Sequence, residues 1–341
     1  MPNTRGLVTL SCAIFLTLSA AGAQQNASPS EPTQEDQAAT TLKVNVNVVQ
    51  LFFNVKDKHG ALIPNLTKDD FQVLEDGKPQ TIKYFAAESN LPLTLGILID
   101  SSGSQARVLD MEKQVGGEFL SEILRDKDMA FVIGFDVNVD LLQDFTNSVR
   151  LLKTALNSAK INTAGGSGTG IPGLGGGTVP TSNPRGTLLY DAVYLASHDE
   201  LAQQVGRKAM ILLTDGEDQG SQLKLKEAIE AAQKADTIVY VLLCADRSAY
   251  WGRGLSYSGD SEMKKLTQET GGRVIEVGNK FDKLKEGFNQ IANELRSQYN
   301  VGYIPTNTKL DGSFRKVEIH TANKDYKIQS RNGYYAVARR D

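Results

Sequence analysis

Apolar and polar positions alternate from Leu42 onward: Leu42, Val44, Val46 and Val48 fall on one side, and Lys43, Asn45 and Asn47 on the other. A period of two marks a half-buried strand. Further strand runs follow at Leu51–Lys56, Phe71–Glu75 and Ile82–Phe85, separated by the turn sequences Asp57-Lys58-His59-Gly60 and Asp76-Gly77. The same texture returns at the other end, at Tyr299–Ile304, Phe314–Thr321, Tyr326–Ser330 and Tyr334–Val337, with Asp311-Gly312 as a turn. Each β stretch, 42–91 and 298–341, is too short to bury a core alone. The economical expectation is that the two pair as one small sandwich-like domain.

The middle of the chain, 92–297, has a different pattern. Runs that are apolar nearly throughout occur at Leu93–Ile99, Ala130–Phe135, Ala209–Leu213, Ile238–Leu243 and Val274–Val277, as expected for parallel strands covered on both faces. Amphipathic stretches lie between them at about 105–125, 147–158, 187–203, 222–235, 260–270 and 281–297. Alternating strands and helices predict a doubly wound α/β sheet whose ligand site lies outside the carboxyl ends of the strands.

Composition narrows the possible partners. The chain of 341 residues carries 37 Lys+Arg against 40 Asp+Glu and has no long Lys/Arg run, which argues against nucleic acid, since phosphate-backbone binding needs a basic patch. With only His59, His198 and His320, and only Cys12 and Cys244, neither a CxxC nor an HExxH arrangement exists. Zinc and cysteine-nucleophile chemistry are therefore disfavoured.

Residues 1–23, MPNTRGLVTLSCAIFLTLSAAGA, combine one Arg, an apolar stretch from Leu7 to Leu18 and small residues at Ala21-Gly22-Ala23. This is the pattern of a secretory signal peptide cleaved before Gln24. Cys12 lies inside the apolar stretch, with Thr9 three residues before it, which does not suit a lipoprotein. The segment 24–41, with two Pro and no large apolar residue, reads as a flexible tether. The expectation is an exported protein, periplasmic or secreted to the cell surface, with no transmembrane span in the mature chain and Cys244 as its only thiol.

Chemistry gathers where the strand runs end. Leu93–Ile99 leads into Asp100-Ser101-Ser102-Gly103-Ser104, and Leu212-Leu213 leads into Thr214-Asp215-Gly216-Glu217-Asp218. A third cluster, Gly186-Thr187-Leu188-Leu189-Tyr190-Asp191, precedes a helix. Carboxylates and hydroxyls in tight loops suit a hard divalent cation, Mg²⁺ best and Mn²⁺ as a substitute. Thr187, Thr181 and Thr214 are all candidates for the distant hydroxyl. Glu217 and Asp218 read as solvated loop acids.

The sequence DSSGS, then GT before a helix, then LLTDGED, resembles the von Willebrand factor A domain, also called integrin I-like, with its metal-ion-dependent adhesion site (MIDAS). That family's pattern of D-x-S-x-S, a separate Thr and a separate Asp is present here in chain order. The resemblance covers residues 92–297 and implies a mostly parallel, six-stranded sheet. It also implies metal ligation, direct or through water, by Asp100, Ser102, Ser104, Thr187 and Asp215. The flanking pieces LTKDDFQVLEDGKPQTI and RNGYYAV further resemble an exported bacterial subfamily described from Acidobacteria.

Between Lys160 and Thr187 lies a long connection in which eight of the thirteen residues from Gly165 to Gly177 are Gly. Its formal GxGxxG, Gly168 to Gly173, carries Pro172 and opens no helix from a preceding strand, so a nucleotide is not expected. The expectation is a loop from about 164 to 185 beside the metal-site face. The functional expectation is a non-enzymatic protein-binding or adhesion module whose Mg²⁺ captures a partner's Asp or Glu carboxylate. The alternatives are a metal-assisted hydrolase, or an envelope scaffold in which this domain is structural.

Overall fold

A computed structural model describes residues 48–87, 91–161, 186–244 and 259–337. The signal segment, the tether, most of the first alternating run and the Gly-rich loop with Thr181 lie outside the described residues.

Leu93–Asp100 (β5), Met129–Phe135 (β6), Arg207–Thr214 (β8), Thr237–Leu243 (β9) and Val274–Glu276 (β10) form the parallel part of a six-stranded sheet. Val139–Thr146 (β7) closes one edge antiparallel to β6, giving the order β10-β9-β8-β5-β6-β7. Every residue of β5, β8 and β9 is buried, because helices cover both faces. One face packs on Leu109–Ile123 (α1), Val149–Ser158 (α2) and Phe281–Arg296 (α6). The other face packs on Leu189–Leu195 (α3), Leu225–Lys234 (α4) and Gly259–Thr270 (α5). The amphipathic stretch at 187–203 is thus α3 continued by a π-helical turn at Ala196–Leu201, where the Ser197 hydroxyl donates to the Val193 carbonyl at 2.7 Å.

From β5 the chain moves outward through β6 and β7, then returns to β8 on the opposite side of β5 and moves outward again through β9 and β10. The direction of winding therefore reverses between β5 and β8. A crevice at the carboxyl ends of these two strands is the place where doubly wound sheets bind ligands.

The remaining strands form two antiparallel four-stranded sheets, and each mixes residues from the two ends of the described chain. Val49–Lys56 (β1) lies between Tyr299–Tyr303 (β11) and Lys327–Gln329 (β13), and Ile82–Ala86 (β4) pairs with β11. In the second sheet Phe71–Glu75 (β2) lies between Phe314–Thr321 (β12) and Lys78–Gln80 (β3), and Gly333–Tyr335 (β14) pairs with β12. Val49, Leu51, Phe53 and Val55 point to one side of β1 and share a core with Phe71, Val73, Val301, Tyr303, Val317 and Ile319. From the other side of β1, Phe52 packs on the α/β core, and Asn54 Nδ2 donates to the Glu294 carbonyl of α6 at 2.8 Å.

That junction is largely polar. The buried Glu294 carboxylate accepts from Lys56 at 2.9 Å, from Arg273 at 2.7 Å and from Gln329 at 3.0 Å. Arg331 pairs with Asp236 and donates to the Gln50 carbonyl at 2.9 Å. Asp236 and Arg273 each precede a parallel strand, so the antiparallel sheets seat against the amino-terminal edge of the large sheet. Among the described residues no helix is long and apolar enough to cross a membrane.

Candidate metal centre

Parallel registry brings the two acidic motifs together. Ile99 pairs with Leu213, so the next residues, Asp100 and Thr214, end neighbouring strands side by side. The Thr214 hydroxyl donates to Asp100 Oδ2 at 2.7 Å and accepts from the Gly216 N–H at 3.0 Å. Asp100 Oδ1 accepts from the Ser102 N–H at 2.9 Å, an Asx turn that folds the loop back over the strand end. Gly216 has φ +82°, and a Cβ there would lie 2.9 Å from Met263 Cγ. Glycine is the residue that lets the chain turn this tightly past α5.

The Ser102 and Ser104 hydroxyls lie 2.9 Å apart. The short 3-10 turn Gly103–Arg107, which begins with the Ser102 carbonyl accepting from the Gln105 N–H at 3.0 Å, carries Ser104 and has Ser102 at its N-cap. Asp215 is buried, and its Oδ1 accepts from the Glu217 N–H at 3.2 Å. Asp100 is completely buried; burial first, and then the Asp215 charge, push its carboxyl well above the ordinary range. Two carboxylates driven together in the interior are the arrangement that a divalent cation relieves.

Thr187 joins this group through its backbone. It exchanges N–H···O=C bonds with Gln219 at 3.0 Å in both directions, and Leu188 N–H donates to the Asp136 carbonyl at 2.8 Å. Asp136 in turn accepts from the Ser101 hydroxyl at 3.2 Å. Asp100, Ser102 and Asp215 are thus linked through the strand ends, while Thr187 is held by the loops on either side of them. Thr214, a rival for the distant hydroxyl, is committed to Asp100.

One expectation for the surrounding loop, that Glu217 and Asp218 are solvated loop acids, needs correction. Glu217 and Asp218 are half-buried structural acceptors: Glu217 Oε1 takes the Gly259 N–H at 2.9 Å, and Asp218 Oδ1 takes the Ser221 hydroxyl at 2.5 Å and the Tyr190 N–H at 3.3 Å. Two of these three partners, Tyr190 and Gly259, lie 28 and 42 residues away and are invisible in a local reading. Asp191, which closes the third sequence cluster without a predicted role, accepts from the Gln222 and Leu223 N–H groups, each at 3.0 Å, and pins the loop after β8 to α3. The three histidines lie elsewhere: exposed His198 contacts Asp199 and stacks on Tyr194, while His59 and His320 belong to the antiparallel part.

The donor set suits a hard cation. Among the described residues no group of three or more His, Cys, Asp or Glu side chains is placed to hold a metal ion. Two buried carboxylates with converging hydroxyls instead form an all-oxygen set, as Mg²⁺ or Mn²⁺ prefers.

No protein-family model matches the sequence, and no curated protein matches it significantly. Among solved structures, the chain is similar to the conserved hypothetical protein BatB from Bacteroides thetaiotaomicron. The two are 18% identical over 60% of this chain and 100% of that one, with a TM-score of 0.42. Proximal thread matrix protein 1 from the mussel byssus, in a structure with a zinc-occupied MIDAS motif, is 14% identical over 61% of this chain and 49% of that one, with a TM-score of 0.42. The vWF domain of the type V pili tip protein Mfa5 from Porphyromonas gingivalis is 17% identical over 38% of this chain and 39% of that one, with a TM-score of 0.30. The chain therefore spans all of the BatB structure and half or less of the other two, a distant likeness on which no assignment rests.

Proposed function

We propose that this chain is an exported, non-enzymatic binding module of the von Willebrand factor A type, close to the Acidobacteria-type subfamily, that captures an acidic side chain of a protein partner through Mg²⁺. Asp100, Ser102, Ser104, Thr187 and Asp215 would hold the cation, directly or through water. The observation that carries this reading is that buried Asp100, which feels the Asp215 charge, and the paired Ser102 and Ser104 hydroxyls follow strand ends at the winding reversal. A cation held largely by neutral oxygens keeps positive character, and a partner's Asp or Glu carboxylate would meet it. Export to the periplasm or cell surface rests on the signal-like segment 1–23. Residues 42–91 and 298–341 would form one sandwich domain with the α/β domain, 92–297, inserted between them, a division that the shared core of the two β stretches supports.

Calorimetric titration with MgCl₂ and MnCl₂ tests the site. The wild type should bind one cation, and Asp215→Ala should bind it at least a hundredfold more weakly or not at all. Equal binding by the two proteins would remove the assignment. Partner capture from native envelope extract, with and without EDTA, then tests the binding mode: a captured protein should be lost on chelation.

A further inference from the structure

Beneath the loop that carries Ser102 and Ser104, two more polar side chains turn inward. Gln105 and Glu112 are completely buried, and neither amide atom of Gln105 nor either carboxyl oxygen of Glu112 has a hydrogen-bond partner. Glu112 occupies the apolar stripe of α1, among Leu109, Val115, Gly116 and Phe119. It makes no hydrogen bond to any candidate ligand. The groups that face it are the Cys244 thiol just past β9, Asp100 at the end of β5, Asp215 past β8, and Lys113 on α1 itself, which contacts Asp110 at 3.5 Å. The thiol lies beside the carboxyl without a well-formed hydrogen bond.

A carboxyl in that position is stable when it keeps its proton. Burial raises Glu112 from its ordinary 4.5 to about 8; the neighbouring thiol eases the rise, and the Asp100 and Asp215 charges add to it. A divalent cation between those aspartates would cancel the negative charge that Glu112 faces and remove their part in holding its proton.

We propose that Glu112 is the proton-carrying third acid of the metal centre, neutral while no cation is bound and releasing its proton when Mg²⁺ or Mn²⁺ arrives. The carboxyl O–H bond breaks, the proton passes to solvent, and the interior gains two positive charges from the cation while losing one. The proposal rests on the metal reading above, and it makes cation affinity depend on pH through a residue that touches no cation.

The test is calorimetric titration of the full chain with MgCl₂ at several pH values from 6 to 8, in two buffers of different ionisation enthalpy, which counts protons released per cation. The wild type should release more protons than Glu112→Gln, and its affinity should climb more steeply with pH, by up to about tenfold per unit. Equal proton counts and equal slopes overturn the proposal while leaving the metal centre in place. A wild type that binds neither Mg²⁺ nor Mn²⁺ overturns the metal reading and this proposal with it. Should Glu112→Gln not fold, Glu112→Leu, which suits the apolar stripe of α1, takes its place: a proton count and slope equal to the wild type's overturn the proposal.

Discussion

The Thr214 hydroxyl donates a hydrogen bond to Asp100 and accepts one from the Gly216 N–H, so one side chain fixes both the carboxylate and the turn that follows it. Removing a hydrogen bond to a buried charged group costs about 1–3 kcal/mol. Thr214→Val, nearly the same shape, should therefore lower the melting temperature measured with saturating Mg²⁺ and weaken Mg²⁺ binding by roughly tenfold; unchanged affinity would show that Asp100 needs no second donor. Acidity gives a second expectation. Asp100 and Glu112 both titrate above their ordinary values in the fold, so folded protein binds more protons than unfolded between about pH 5 and 8. Stability without a cation is then greatest at the acid end of that window and falls as pH rises through it. Melting curves in EDTA should show this decline, and Glu112→Gln should flatten it. The candidate ligands were legible because Asp100, Ser102, Ser104 and Asp215 follow buried strand runs. Glu112 was not, although a Glu three residues from both Leu109 and Val115 in an apolar stripe is a signal that could have found it.

Elements with strong periodicity were readable from sequence nearly to their ends: Phe71–Glu75 and Phe314–Thr321 have the expected bounds. β7 was not foreseen, because an edge strand has one exposed flank and its register against β6 shifts twice, which breaks the alternation. β3 was also missed; it is three residues long and contains Pro79, which an edge tolerates. The turn between α5 and β10 shows how closely two elements can be forced together. Gly271 has φ +88°, and a Cβ there would lie 2.6 Å from the Arg331 backbone nitrogen in the β13–β14 connection. Gly271→Ala should cost about 1–3 kcal/mol of stability from backbone strain alone. It should also raise amide exchange around Arg331 and Asn332 more than around β8; a uniform change would mean that the contact does not hold the two parts together.

Across the whole molecule, the path of the chain explains what a local reading could only infer. β1 has β11 and β13 as its neighbours, and β2 has β12, so three of the four partners that complete these two strands come from beyond residue 298. Deleting 298–341 should leave β1, β2 and β4 without their inner neighbours and unfold 49–86. Amide exchange on the truncated chain checks this: protection that survives in β1 would make the amino-terminal strands an independent unit. The seating of this antiparallel part has a mechanical consequence. Asp100 and Thr214 end β5 and β8 at one edge of the large sheet, while Arg331, Glu294 and Lys56 fasten the antiparallel sheets at the other. A pull applied at the edge where Asp100 and Thr214 lie, and held at the opposite edge, would run lengthwise down β5 and β8, whose ladder pairs seven residues, and load those hydrogen bonds together in shear instead of one at a time.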